Sequence, residues 1–233
     1  PEIGDSTGSC NVVVGECNDM YLNSARLASI REDDVMKAIQ NASTDVEEGA
    51  VGAGTGMVCF QYKGGIGTAS RQIDDEIVVG VLVLSNFGSR EELPIAHYKP
   101  TKMNKESLPD GSIMIIVATN APLSDRQLNR LAKRATVGLS RSGSNVHHGS
   151  GDIVIAFSNA YTIPHFSDSD YFNNVPLLRD NSAQMRKCFQ GVAEATEEAI
   201  LNSITKAETT TGRKGRVVEG IPYHLLSVER KYV

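Results

Sequence analysis

The stretch Leu108-Pro109-Asp110-Gly111-Ser112-Ile113-Met114-Ile115-Ile116-Val117-Ala118-Thr119 decides how this chain reads. A Pro-Asp-Gly turn delivers a serine to the mouth of a continuous apolar run. Such a run reads as a strand buried within a sheet. The same peptide also carries chemistry. If the bond between Gly111 and Ser112 were cut, Ser112 would hold a hydroxyl and a free α-amine together, a nucleophile with its own base. An α-amine has an ordinary pKa of about 7.7–8.0, near the neutral pH at which a general base works best.

Two further apolar runs flank this one. Ile77 to Leu84 closes at Ser85-Asn86-Phe87-Gly88, and Ile153-Val154-Ile155-Ala156-Phe157 opens after the Gly/Ser-rich turn of residues 140–151. Val12-Val13-Val14 reads as a short strand. The glycine-rich residues 49–56 run into Met57-Val58-Cys59-Phe60 with no GK[ST], so they read as a turn before a strand rather than a phosphate loop. Lys63-Gly64-Gly65 then separates that strand from Ile66–Arg71, which predicts a hairpin between the two. Residues 89–111, with Pro94, Pro100 and Pro109, read as an exposed connection.

Three helices are expected. Val35, Ala38, Ile39 and Ala42 share a face over residues 33–43. Ser124 and Gln127 form a capping box ahead of Leu128, Leu131, Ala132, Ala135 and Leu139, with Arg126, Arg130, Lys133 and Arg134 on a solvated side. A long helix over 181–208 has Gly212 as its stop. Buried strands between long helices imply a layered α/β protein, read as one domain without repeats.

The bulk properties exclude several classes. The 233 residues are 40% hydrophobic and 22% charged, which is ordinary for a globular protein. A net charge of −5 argues against nucleic acid as a partner. No apolar run approaches the ~20 residues of a membrane-spanning helix. The start Pro1-Glu2-Ile3-Gly4-Asp5 resembles no signal peptide and lacks methionine, which suggests a processed or truncated chain. Cys10, Cys17, Cys59 and Cys188 are read as reduced thiols of a cytoplasmic protein. Their spacing suits no zinc site, and His147-His148 lacks an evident third ligand, so no metal or cofactor is expected.

Candidate chemistry gathers at strand ends. Ser112 opens one strand, Asn86 closes another, and Ser150 and Asp152 flank Gly151 at the mouth of a third. Ser150 can relay or orient a proton, Asp152 can hold the amine, and Asn86 can donate its side-chain NH2 to an oxyanion. On spacing alone each also reads as a turn or cap residue. A Ser-His-Asp set from His147, His148, Ser150 and Asp152 is the rival chemistry, but no G-x-S-x-G elbow accompanies it.

The stretch from Gly111 to Leu123 resembles the start of the β-subunit of the DmpA-type aminopeptidases, also called L-aminopeptidase/D-esterases or β-peptidyl aminopeptidases. Gly54-Thr55-Gly56-Met57, Lys63 to Arg71, Val79 to Val83, Gly149-Ser150-Gly151-Asp152-Ile153 and Ala195 to Asn202 resemble further segments in the family's order. The resemblance implies a four-layer αββα sandwich with buried mixed sheets, formed by one hydrolase domain over 1–233 that lacks the family's N-terminal part. It implies self-cleavage between Gly111 and Ser112, leaving an α-subunit portion of 1–111 and a β-subunit portion of 112–233. Ser112 would then be the nucleophile, Ser150 and Asp152 its support, Asn86 the oxyanion donor and Glu16 the ligand of the substrate amine. Small peptides, amides or esters would be the substrates, and a homo-oligomer the assembly. The family often has an aromatic residue where this chain has Asn18. An acyltransferase similar to ornithine acetyltransferase, whose nucleophile is threonine, and a non-catalytic binding protein of the same fold are the alternative readings.

Overall fold

The computed structural model describes residues 11–27, 30–93, 111–162, 172 and 174–225. Its regular elements are α1 (Glu32–Gln40), β1 (Val58–Cys59), β2 (Tyr62–Lys63), β3 (Ile66–Gln72), β4 (Val78–Asn86), β5 (Ser112–Thr119), α2 (Asp125–Arg141), β6 (Gly151–Ser158), α3 (Ala183–Thr205), β7 (Thr210–Thr211) and β8 (Val217–Val218). The main sheet has the order β3-β4-β5-β6. Its first three strands are mutually antiparallel, whereas β6 lies parallel to β5, with α2 in the connection between them.

Strand alternation sorts the side chains onto two faces. Val79, Val81 and Val83 of β4 and Ile113, Ile115 and Val117 of β5 join one buried core. Leu131, Ala135 and Leu139 of α2 and Met185, Val192, Ile200 and Ile204 of α3 complete it. The helices therefore cover a single face. The other face buries Leu84 and Met114 at the Ser112 end but leaves Ile153 and Phe157 of β6 exposed. Two expectations are thus corrected: the Ile77–Leu84 run, read as a strand buried on both faces, alternates in β4, and the Ile153–Phe157 run, read as a buried strand, is the half-open edge β6. Among the described residues there is one helical layer on one four-stranded sheet.

Local signals account for the helices. Ser124 accepts the Gln127 N–H and Gln127 Oε1 accepts the Ser124 N–H, so the capping box forms as read. Arg126 and Lys133 are exposed as expected, whereas Arg130 and Arg134 are half-buried and stack on Phe189; Arg126 and Arg130 also pair with Asp180. α3 starts where Ser182 accepts the Met185 N–H, and it ends at Lys206 rather than at Gly212. It lies close on β3 because Gly67 has no side chain: a Cβ there would sit 1.9 Å from the Ala199 carbonyl oxygen. Arg71 of β3 ties the same helix down through Glu194 and Glu198.

Two readings are corrected, and the first helix forms where it was read. Val12-Val13-Val14 forms no strand and is exposed. α1 forms, but Val35 and Ile39 stay exposed, so its apolar stripe meets nothing among the described residues. The hairpin at 57–71 pairs differently: β1 turns back onto β2 through Phe60 and Gln61, while β3 pairs with β4. Phe60 and Gln61 have φ of 51° and 60°, the left-handed pair that a two-residue hairpin turn needs. Leu108-Pro109-Asp110 and most of the 89–111 connection lie outside the described residues.

Candidate active site

Strand register builds the site. Asn86, the last residue of β4, is opposite Ser112, the first of β5, and Ser112 is opposite Gly151, the first of β6. Three strand ends therefore stand side by side at one edge of the sheet, each about 4.8 Å from the next. Asn86 and Ser112 project to the face that the helices leave free, alongside Leu84 and Met114.

Asn86 is buried and fixed from two sides. Its Oδ1 accepts the Val58 N–H at 2.8 Å, and its Nδ2 donates to the Asn18 carbonyl at 3.0 Å. An amide nitrogen has two hydrogens, so one remains to donate. Asn18 thus contributes its backbone carbonyl to the site. Its side chain caps the Met20 N–H.

At the start of β6, Ser150, the residue just before the strand, donates from Oγ to Asp152 Oδ1 at 2.7 Å. Asp152 Oδ2 is buried and has no hydrogen-bond partner among the described residues. Asp152 is level with Ile113, one residue along from Ser112. The Gly151 N–H donates to the Gly111 carbonyl at 3.0 Å, which holds the Gly111–Ser112 peptide against β6.

Glu16 stands on an exposed segment laid over the same face. Gly15 permits this approach, since a Cβ there would lie 2.4 Å from Met114 Cε. Glu16 is solvent-exposed.

Two residues of this region escaped the sequence reading. Cys17 is buried among Met57, Leu84 and Met114, and its Sγ donates to the Leu84 carbonyl at 3.5 Å. Burial pushes its thiol above the ordinary range. Its adjacency to Glu16 was the only signal available. Lys63, read as a turn residue, is fully buried, and its Nζ donates to the carbonyls of Gly54, Met57 and Gly64 at 2.7, 3.0 and 2.6 Å. Burial pushes its ammonium down to about 8.

The rival triad is not assembled. His147 Nε2 lies 2.6 Å from Glu92 Oε1, while Ser150 Oγ is engaged with Asp152. Burial raises the Glu92 carboxyl, but bonds from the Ser89 N–H, Asn145 and His147 hold it below the ordinary range. Among the described residues no three His, Cys, Asp or Glu side chains gather as a metal site. Cys17, Cys59 and Cys188 are free thiols, and Cys10 lies outside the described residues.

The chain as a whole has known relatives. The description of peptidase family S58 matches residues 1–218. The chain belongs to peptidase family S58. Among curated S58-like relatives, the β-peptidyl aminopeptidase BapA of Sphingosinicella xenopeptidilytica is 37% identical over 92% of this chain and 58% of its own. That of Sphingosinicella microcystinivorans is 36% identical over 94% and 61%. The chain therefore spans about three-fifths of the length of these relatives. The PH0078 protein of Pyrococcus horikoshii OT3 superposes with a TM-score of 0.83 at 45% identity, covering 96% of this chain and 63% of that one. The L-aminopeptidase D-Ala-esterase/amidase of Ochrobactrum anthropi, described as a variant of the Ntn-hydrolase fold, gives 0.76 at 34% identity over 86% and 57%. The resemblance and the α/β class read from the sequence are both borne out. Among the described residues no helix is long and apolar enough to cross a membrane.

Proposed function

We propose that this S58 chain is a self-processing N-terminal-nucleophile aminopeptidase that releases N-terminal residues from small peptides, amides or esters. The observation that carries the reading is the register that sets Ser112 between Asn86 and Gly151 at one sheet edge. One hydrolase domain is cut between Gly111 and Ser112 into portions 1–111 and 112–233. In that cleavage Ser112 Oγ attacks the Gly111 carbonyl carbon, whose oxygen already accepts the Gly151 N–H. The hydroxyl proton passes to the Ser112 nitrogen as the peptide C–N bond breaks, which frees the α-amine and leaves an ester on Oγ; water then hydrolyses that ester to the Ser112 hydroxyl and a Gly111 carboxylate.

In turnover that amine takes the Ser112 hydroxyl proton as Oγ attacks the substrate's acyl carbon. The second Nδ2 hydrogen of Asn86 stabilises the oxyanion. The proton passes to the leaving nitrogen, and water activated by the same amine then cleaves the acyl-enzyme. Asp152 Oδ2, buried and unpartnered, is a ready acceptor for the Ser112 ammonium, with Ser150 orienting its carboxylate. Glu16 receives the substrate's own ammonium. The reading includes a cytoplasmic homo-oligomer.

Intact-mass measurement of the purified protein, alongside Ser112→Ala, tests the first step. Two fragments whose masses sum to the chain plus one water, absent in the variant, are expected; a wild type that stays whole overturns it. Release of p-nitroaniline from L-aminoacyl p-nitroanilides tests the second. Acetyl transfer from acetyl-ornithine to glutamate without such release would favour the acyltransferase alternative.

A further inference from the structure

Lys63 has no place in the chemistry above, yet its ammonium is sealed in the protein next to the site. We infer that Lys63 is a positioning residue that polarises the Asn86 amide through the Met57–Val58 peptide. The inference rests on the proposed oxyanion role of Asn86.

The connection is continuous. Lys63 Nζ donates to the Met57 carbonyl at 3.0 Å. That carbonyl and the Val58 N–H belong to one peptide unit, and the Val58 N–H donates to Asn86 Oδ1 at 2.8 Å. The Asn86 amide in turn presents Nδ2. Two conjugated amides in series thus separate a positive charge from the atom that would meet the oxyanion. A cation at the carbonyl end of an amide withdraws electrons and makes its N–H a stronger donor. Here the Val58 N–H becomes the stronger donor to Oδ1, and the Asn86 Nδ2–H gains acidity by the same logic.

The surroundings favour this role over a merely structural one. The Gly54 and Gly64 carbonyls hold the other two hydrogens of Nζ, so the ammonium has one fixed orientation. The Gly64 N–H also donates to the Met57 carbonyl, at 3.1 Å, adding to the same polarisation. With no water access, the charge acts in a low-dielectric setting, where its field reaches further than at the surface. The β1–β2 turn also holds the relay in place: the Phe60 N–H donates to the Phe87 carbonyl at 2.6 Å, beside Asn86.

A double-mutant cycle of Lys63→Met and Asn86→Ala, read as kcat and KM on an L-aminoacyl p-nitroanilide, tests the relay. Lys63→Met is expected to lower kcat about tenfold with KM within about twofold, and to cost less than about twofold more once Asn86 is alanine. Equal losses in both backgrounds overturn the relay and leave the aminopeptidase reading intact. The Asn86 side-chain amide proton gives a readout independent of turnover. It is expected to move upfield in Lys63→Met, and in Lys63→Gln should the methionine variant not fold; an unmoved resonance in a folded variant overturns the relay. A wild type without turnover overturns the aminopeptidase reading, and the resonance then decides the relay alone.

Discussion

Replacing Asn86 separates what its side chain holds together from what it does to substrate. The residue is buried, with 8% of its surface exposed, and it makes two hydrogen bonds. In Asn86→Ala the Val58 N–H, itself buried, loses its acceptor, which costs about 1–3 kcal/mol for an unsatisfied buried group. The Asn18 carbonyl belongs to an exposed residue and is rehydrated at little cost. Stability should therefore fall by about 1–3 kcal/mol, a shift visible in urea melts that leaves most of the protein folded. The rate should fall further: loss of one oxyanion donor costs about 2.7–4 kcal/mol, or about 10²–10³ in kcat. Asn86→Asp sharpens the comparison. Its carboxylate still accepts the Val58 N–H, so part of the lost stability returns, but it offers no hydrogen to the oxyanion and repels it. The assay is steady-state kcat on an aminoacyl p-nitroanilide with pre-cleaved enzyme, next to the melts. An Asn86→Asp enzyme within tenfold of wild-type kcat would refute the reasoning, whatever its stability.

Gly67→Ala should destabilise the fold by at least the 1–3 kcal/mol typical of overpacking, because its Cβ would meet the Ala199 carbonyl and push α3 off β3; an unchanged melting temperature would contradict the close approach. The pH dependence of stability should carry a Lys63 signature. Burial lowers its folded pKa to about 8 against 10.5 in the open chain, so between those values the unfolded state binds more protons and stability rises with pH. Cys59, pushed up to about 12 by burial, works in the opposite sense from pH 9 upward, so the comparison is wild type minus Lys63→Met. That difference should move toward the wild type by about 1–3 kcal/mol from pH 7 to pH 10 in urea melts, and parallel curves would contradict it.

Much of this was readable in the chain. The apolar runs of β4, β5 and β6 and the Ser124–Gln127 box are local patterns with local causes, and the structure has strands and a helix there. Residues at strand ends were also readable as candidates, because a hydroxyl or amide at the edge of an apolar run stands out. Their juxtaposition was not readable, since it depends on which strands pair and in what register. The β1–β2 turn shows the limit: Phe60 and Gln61 adopt positive φ without the Gly or Asn that announces it. The Val35–Ile39 stripe marks a helix that does form, but periodicity says nothing about what covers its apolar face. Lys63 and Cys17 were invisible for a further reason. A lysine between glycines looks like a turn, and only tertiary structure shows it enclosed by three carbonyls.

The mixed sheet itself explains why the site forms where it does. Had β5 and β6 been antiparallel, the start of β5 would lie beside the end of β6, and Ser112 would neighbour Ser158 instead of Gly151. The parallel pairing puts two strand beginnings together, and the antiparallel β4 adds a strand end to the same edge. A strand beginning exposes the nitrogen side of its first residue. The Ser112 nitrogen, the Gly151 N–H and the Ser150–Asp152 pair therefore meet at one edge, while β4 contributes a side-chain amide from its carboxyl end. A nucleophile that uses its own α-amine requires this polarity: its chain must begin at the site and run away from it into the core. β5 does so, passing from half-buried Ser112 into fully buried Ile113. The topology that buries the apolar run is thus the one that would present a freed amine, so the fold and the proposed chemistry depend on the same register.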